Sequence, residues 1–177
     1  MVAVDDLAGV ERHAADLDRH VLLAGPCLSA LTGIGAECLD PDVERAQDAL
    51  ADAGLRLEQP PEGWLVKAWD GDVLVDLIFR PAGGAVGDEH FERATILEVA
   101  AQSIPVASIE DVLVAKLLAL SEQEPDFGPV LEIARSLREQ IDWDAVRAQV
   151  EQTPFGAAFF TLIERLGIVA EPVGTAS

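Results

Sequence analysis

The feature that most constrains the fold of this chain is a dipeptide. Asp70-Gly71 stands between WLVKAW and DVLVDLIF, two runs rich in β-branched and aromatic residues. Asp-Gly between such runs is among the strongest short-range hairpin signals, because the central positions of its tight turn favour positive φ. The middle of the chain is therefore expected to be antiparallel sheet. In the second run Val73, Val75, Leu77 and Phe79 alternate onto one face. Asp72, Leu74, Asp76 and Ile78 alternate onto the other.

Before the hairpin, residues 3–19 carry Val4, Leu7, Val10 and Leu17 at roughly helical spacing. Val21 to Ala24 then form a short apolar run closed by Gly25-Pro26, the shape of a buried strand and a tight turn. CLSALTG reads as a short helix ending at Gly33. Residues 41–53 read as a helix with Val43, Ala46, Leu50 and Ala53 on one face and Gly54 as its stop. After the hairpin, PAGGAVGDE reads as a flexible loop, and ATILEVA with IPVAS as one strand or two. From Ser108 onward the pattern is helical, with Ser108 and Asp111 in capping-box spacing. Gly128-Pro129, Asp142 and Thr153-Pro154 mark the starts of three more helices. The expected organisation is an α/β (α+β) core over residues 1–105, a helical region over 106–170 and a loose tail over 171–177.

Charge narrows the partners. Twelve basic residues against thirty-two acidic ones leave a formal net charge of −20. Such a surface repels the phosphate backbone, so extended nucleic acid is disfavoured as a ligand. Acidity of this kind also serves solubility and by itself requires no partner. Half of the residues are apolar, enough for a core, yet no run is long enough to span a bilayer. The opening MVAVDDLAGVERH lacks the cationic-then-apolar order of a secretory signal. Cys27 and Cys38 have no metal-ligand spacing and read as reduced thiols, which points to the cytoplasm.

Three places can carry chemistry. Asp76 is a carboxylate inside an apolar strand, which costs several kcal/mol unless it is paired, exposed or bound to a cation. The plainer alternative puts it on the solvated side of the hairpin. Lys116 falls on the apolar face of its helix among Val112, Leu113, Leu117 and Leu120. It either snorkels to water or meets a carboxylate or phosphate. Asp40 and Asp42 stand one residue apart, suited to a hard divalent cation, although Asp40 before Pro41 is equally a helix cap. Gly33-Ile34-Gly35 lacks the remaining glycine spacing of a dinucleotide fingerprint, and no nucleophile elbow, phosphate-binding loop or zinc-protease motif occurs. His13, His20 and His90 show no ligand spacing, and Trp64, Trp69 and Trp143 read as packing residues.

In order, VLLAGPCLSALTGIGAECLDPDV, VDLIF and IPVASIEDVLVAKLLAL resemble the nucleotidyltransferase-fold superfamily, in the branch of antibiotic nucleotidyltransferases and AbiEii-type toxin components. The likeness covers roughly residues 20–168 and rests on short motifs. It implies a small mixed sheet with flanking helices and a C-terminal helical region. It further implies Mg²⁺ held by Asp40, Asp42 and Asp76, a nucleoside triphosphate cradled at Gly25 and Ser29, and Lys116 at a phosphate or beside Asp76. The activity implied is transfer of a nucleoside monophosphate to a small-molecule or protein acceptor. The motif departs from the family at five points. Pro26 offers no N–H to a phosphate, and Ala36 and Cys38 stand where Arg and Thr are usual. Pro41 separates the two acids, and VERAQDAL turns helical at once after Asp42. These losses open the alternative of a catalytically degenerate relative serving as a binding or regulatory module.

Overall fold

A computed structural model describes residues 21–26, 33–39, 42–61, 63–99 and 102–169. The expected helix over 3–19, the short helix of CLSALTG, Cys27, Ser29, Asp40, Pro41 and the tail lie outside the described residues. The chain divides into two compact units, Met1–Ser108 and Ile109–Ser177.

The first unit is built on one sheet of seven strands among the described residues. They are β1 (Val21–Pro26), β2 (Gly33–Cys38), β3 (Arg56–Glu58), β4 (Leu65–Asp70), β5 (Val73–Ile78), β6 (Thr95–Val99) and β7 (Gln102–Val106). Their order across the sheet is β3-β4-β5-β2-β1-β7-β6. The pairs β2–β5 and β1–β7 are parallel and the other four antiparallel, so the sheet is mixed. Two helices among the described residues belong to this unit, α1 (Val43–Asp52) and α2 (Asp88–Arg93).

The Asp-Gly hairpin forms, but its loop is one residue later than the dipeptide. Asp70 pairs with Val73, so the two loop residues are Gly71 and Asp72. Gly71 has φ 58°, the positive value that the first position of a two-residue hairpin turn favours and that glycine adopts without strain. This choice sets the register of everything downstream. A loop of Asp70 and Gly71 would pair Trp69 with Asp72 and bring Leu65 opposite Asp76. The observed loop brings Lys67 there instead.

The helix α1 covers one face of the sheet. Its buried Val43, Ala46 and Leu50 join Cys38, Val66, Ala68, Val75 and Leu77 in one apolar cluster. Burying such side chains contributes about 1.5–3 kcal/mol each. Gly54 has φ 91° and ends the helix where the sequence placed the stop. The residue at the N-cap of α1 is Asp42, whose side chain makes no capping hydrogen bond. The opposite face of β5 is not the solvated side of a hairpin: Leu74 and Asp76 are both buried.

Three elements were not visible in the sequence. Gly33 opens β2, a strand held by backbone pairing to β1 on one side and β5 on the other. The strand β3 is only three residues long and pairs with β4. The helix α2 falls within and just after the stretch expected as loop, and it buries no side chain.

The second unit contains α3 (Ile109–Ala119), α4 (Gly128–Leu137), α5 (Trp143–Val150) and α6 (Pro154–Arg165). Its core joins Leu113, Leu117, Val130, Ala134, Val146, Val150, Phe159, Phe160 and Ile163. The starts of α5 and α6 are capped as the sequence indicates. The Asp142 carboxylate accepts from the Ala145 N–H at 3.1 Å, and Thr153 Oγ1 accepts from the Gly156 N–H at 3.0 Å. Pro154 follows at the first helical position, where its missing N–H costs nothing. No helix among the described residues is long and apolar enough to cross a membrane.

Candidate functional site

Residues paired across neighbouring strands share a face of the sheet, with adjacent strands about 4.8 Å apart. Following the pairing of Asp76 outward gives one transverse row. Asp76 on β5 is in register with Gly35 on β2, and Gly35 with Gly25 on β1. In the other direction Asp76 is in register with Lys67 on β4, and Lys67 with Glu58 on β3. The row lies on the face opposite α1, because the intervening Val75 and Leu77 point into the α1 cluster.

Gly25 reaches this row through an irregularity. The β1–β2 register slips by one between Leu23 and Gly25, which leaves Ala24 as an extra residue. An unbroken ladder would set Gly25 against Ile34 instead.

Asp76 is only 4% exposed, yet it is not alone. Lys67 Nζ stands 3.2 Å from Asp76 Oδ1, and the Lys67 side chain is 20% exposed. A buried carboxylate is tolerable when a cation of excellent geometry compensates its lost hydration. Here that cation is an ammonium from the adjacent strand. The sequence signal for Asp76 was its isolation among apolar neighbours, whereas the role of Lys67 follows only from the hairpin register.

The other expected site residues are placed as follows. Asp42 caps α1, the helix packed on the face opposite the Asp76 row. Its Oδ1 accepts from Arg45 Nη1 at 2.8 Å. Lys116 lies in the last turn of α3, in the second unit, half-buried. Gly25 sits within β1, one residue before its end. Ser29 and Asp40 lie outside the described residues. Sequence reasoning missed Gly35 and Lys67, the two register partners of Asp76.

A divalent cation of the Mg²⁺ class wants several converging oxygen ligands in near-octahedral array. Among the described residues no group of three His, Cys, Asp or Glu side chains gathers in this way. Beside Asp76 the row offers glycine on one strand and an ammonium on the other, and an ammonium donates hydrogen bonds rather than ligating a metal. The described residues do not fit such an ion.

The fold is similar to that of ANT(2")-Ia solved in complex with adenylyl-2"-tobramycin, at 12% identity and a TM-score of 0.58. The match covers 90% of this chain and 97% of that one. A solution structure of the antibiotic-resistance factor ANT(2'')-Ia matches at a TM-score of 0.45, with 14% identity over 93% of this chain and 94% of that one. The lincomycin-bound lincosamide antibiotic adenylyltransferase LnuA matches at 0.47, with 12% identity over 84% of this chain and 99% of that one. The weight rests on the first match, and it is a match of fold. No protein-family model and no curated protein sequence matches the chain. The architecture, a mixed sheet with flanking helices and a helical C-terminal region, is nucleotidyltransferase-like.

Proposed function

We propose that this nucleotidyltransferase-fold chain acts as a metal-independent binding or regulatory module. In it the Lys67 ammonium neutralises Asp76 in place of a divalent cation. One observation carries the reading: Lys67 Nζ lies 3.2 Å from the buried Asp76 carboxylate, in register across the β4–β5 ladder. Metal-assisted transfer of a nucleotidyl group depends on positioned cations that neutralise charge at the transferred phosphoryl group. A site already balanced by an internal ammonium has less to offer such an ion. The glycine at the Gly35 register and the engagement of Asp42 with Arg45 support the same reading.

Calorimetry with ATP, CTP, GTP and UTP, each with and without Mg²⁺ or Mn²⁺, tests this directly. The expected outcome is that neither metal strengthens any binding and that Asp76→Ala leaves the metal response unchanged. Metal-dependent binding abolished by Asp76→Ala would instead establish the Mg²⁺-dependent transferase. In that case Asp40, Asp42 and Asp76 would be its ligands, Gly25 and Ser29 its phosphate contacts, Lys116 its auxiliary cation, and a small molecule or protein its acceptor.

A further inference from the structure

The two outer strands of the sheet are unlike one another. On one side β3 is short, three residues, and carries the charged Arg56 and Glu58. The Arg56 guanidinium also lies over the Trp69 ring at 5.5 Å. Short length and charge are the usual protections of an edge whose free N–H and C=O groups would otherwise pair with another chain.

On the other side β6 is longer, and its one charged residue is the acid Glu98. It is five residues long, pairs with β7 in an unbroken register from Thr95↔Val106 to Val99↔Gln102, and contains no Lys, Arg or Pro. Its second edge has no neighbouring strand among the described residues. Ile96 is 61% and Leu97 46% exposed, and consecutive strand residues face opposite sides of the sheet. The edge is therefore apolar above and below, which is the footprint an incoming strand would cover.

We infer that β6 is a docking edge for an extended segment of a basic partner protein, added to the sheet as a further strand. Backbone pairing along the open edge of β6 would supply affinity, and Ile96 and Leu97 would supply apolar contact on its two faces. The charge of the segment follows from its surroundings. Glu98 is exposed on β6 itself, and on the preceding α2 the exposed Asp88, Glu89 and Glu92 outnumber the exposed Arg93. A second copy of the chain would bring another −20 to this edge, whereas a Lys- or Arg-bearing strand is attracted to it. The inference concerns a different edge from the Asp76 row and stands whatever that row binds.

The test uses the full chain and two labelled peptides, one alternating Val with Lys and the other alternating Val with Glu, followed by fluorescence anisotropy. The Val–Lys peptide is expected to bind and the Val–Glu peptide not to bind. Ile96→Lys with Leu97→Lys should weaken that binding at least tenfold without changing the thermal unfolding of the chain. Glu98→Lys and raised salt should weaken it by smaller factors. Equal binding of both peptides, no binding at millimolar concentration, or no effect of the β6 variants would each overturn the inference. Light scattering closes the remaining route: a wild-type dimer turned monomeric by the β6 double variant would make a second copy the occupant and refute the basic partner.

Discussion

Asp76 and Lys67 set the terms at the scale of single residues. Removing one member of a buried pair leaves the other charged without compensation, which is costlier than removing both. Lys67→Ala is therefore expected to lower stability by about 3–5 kcal/mol in urea unfolding. Lys67→Met combined with Asp76→Leu should return to within about 1 kcal/mol of the parent or exceed it. A double variant as unstable as the single one would show that the pair does more than balance its own charge. Asp42 provides the contrast. Its ion pair runs to the largely exposed Arg45, and it makes no capping hydrogen bond, so Asp42→Ala should cost less than about 1 kcal/mol. Asp76 was legible in the sequence as an acid among apolar neighbours. Its partner was not, because a lysine nine residues away gains meaning only through a turn one position later than the dipeptide suggests.

Elements were legible in proportion to how local their causes are. The starts of α5 and α6 could be read from Asp142 and from Thr153-Pro154, since a cap acts within its own first turn. Thr153→Ala should accordingly cost about 1 kcal/mol in denaturant unfolding, clearly more than Asp42→Ala. Gly156→Ala should also destabilise, because a Cβ there would press into the Val150 carbonyl. The strand β2 was illegible for the opposite reason. Gly33, Gly35 and Ala36 carry little intrinsic strand preference, and the segment is a strand because β1 and β5 flank it. The short β3 and α2, none of whose side chains is fully buried, likewise lack an apolar period to read. At the hairpin, Gly71→Val should destabilise by about 1–2 kcal/mol, since a β-branched residue resists φ near 58°. Equal stability of that variant would mean that the loop had moved.

The molecule as a whole carries its acidity and its unprotected edge together. A chain of net charge −20 resists association with copies of itself, which disfavours self-pairing along β6, an outer strand among the described residues. Metal response is a property of the same scale. A ligand that binds only the folded state raises the melting temperature in proportion to its occupancy. Ten-millimolar Mg²⁺ with ATP is therefore expected to shift melting no further than ATP alone, read by differential scanning fluorimetry. The overall architecture was legible because the hairpin, the four C-terminal helices and the family likeness pointed the same way, and the fold match to ANT(2")-Ia agrees with them.

The two-residue loop at Gly71 and Asp72 has one more consequence, for how the chain folds. Lys67 and Asp76 sit on opposite arms of the same hairpin, so they meet as soon as the arms close, an event of microseconds in hairpins. A hairpin closed two residues out of step would strand both charges against apolar partners, Asp76 on Leu65 and Lys67 on Leu74. The shifted register thus costs the burial of two uncompensated charges, which favours the observed alignment of the arms. The variant lacking both charges should keep its stability but lose that discrimination. NMR would then show a second set of resonances for Val66, Ala68, Val75 and Leu77, and a single set would refute the idea.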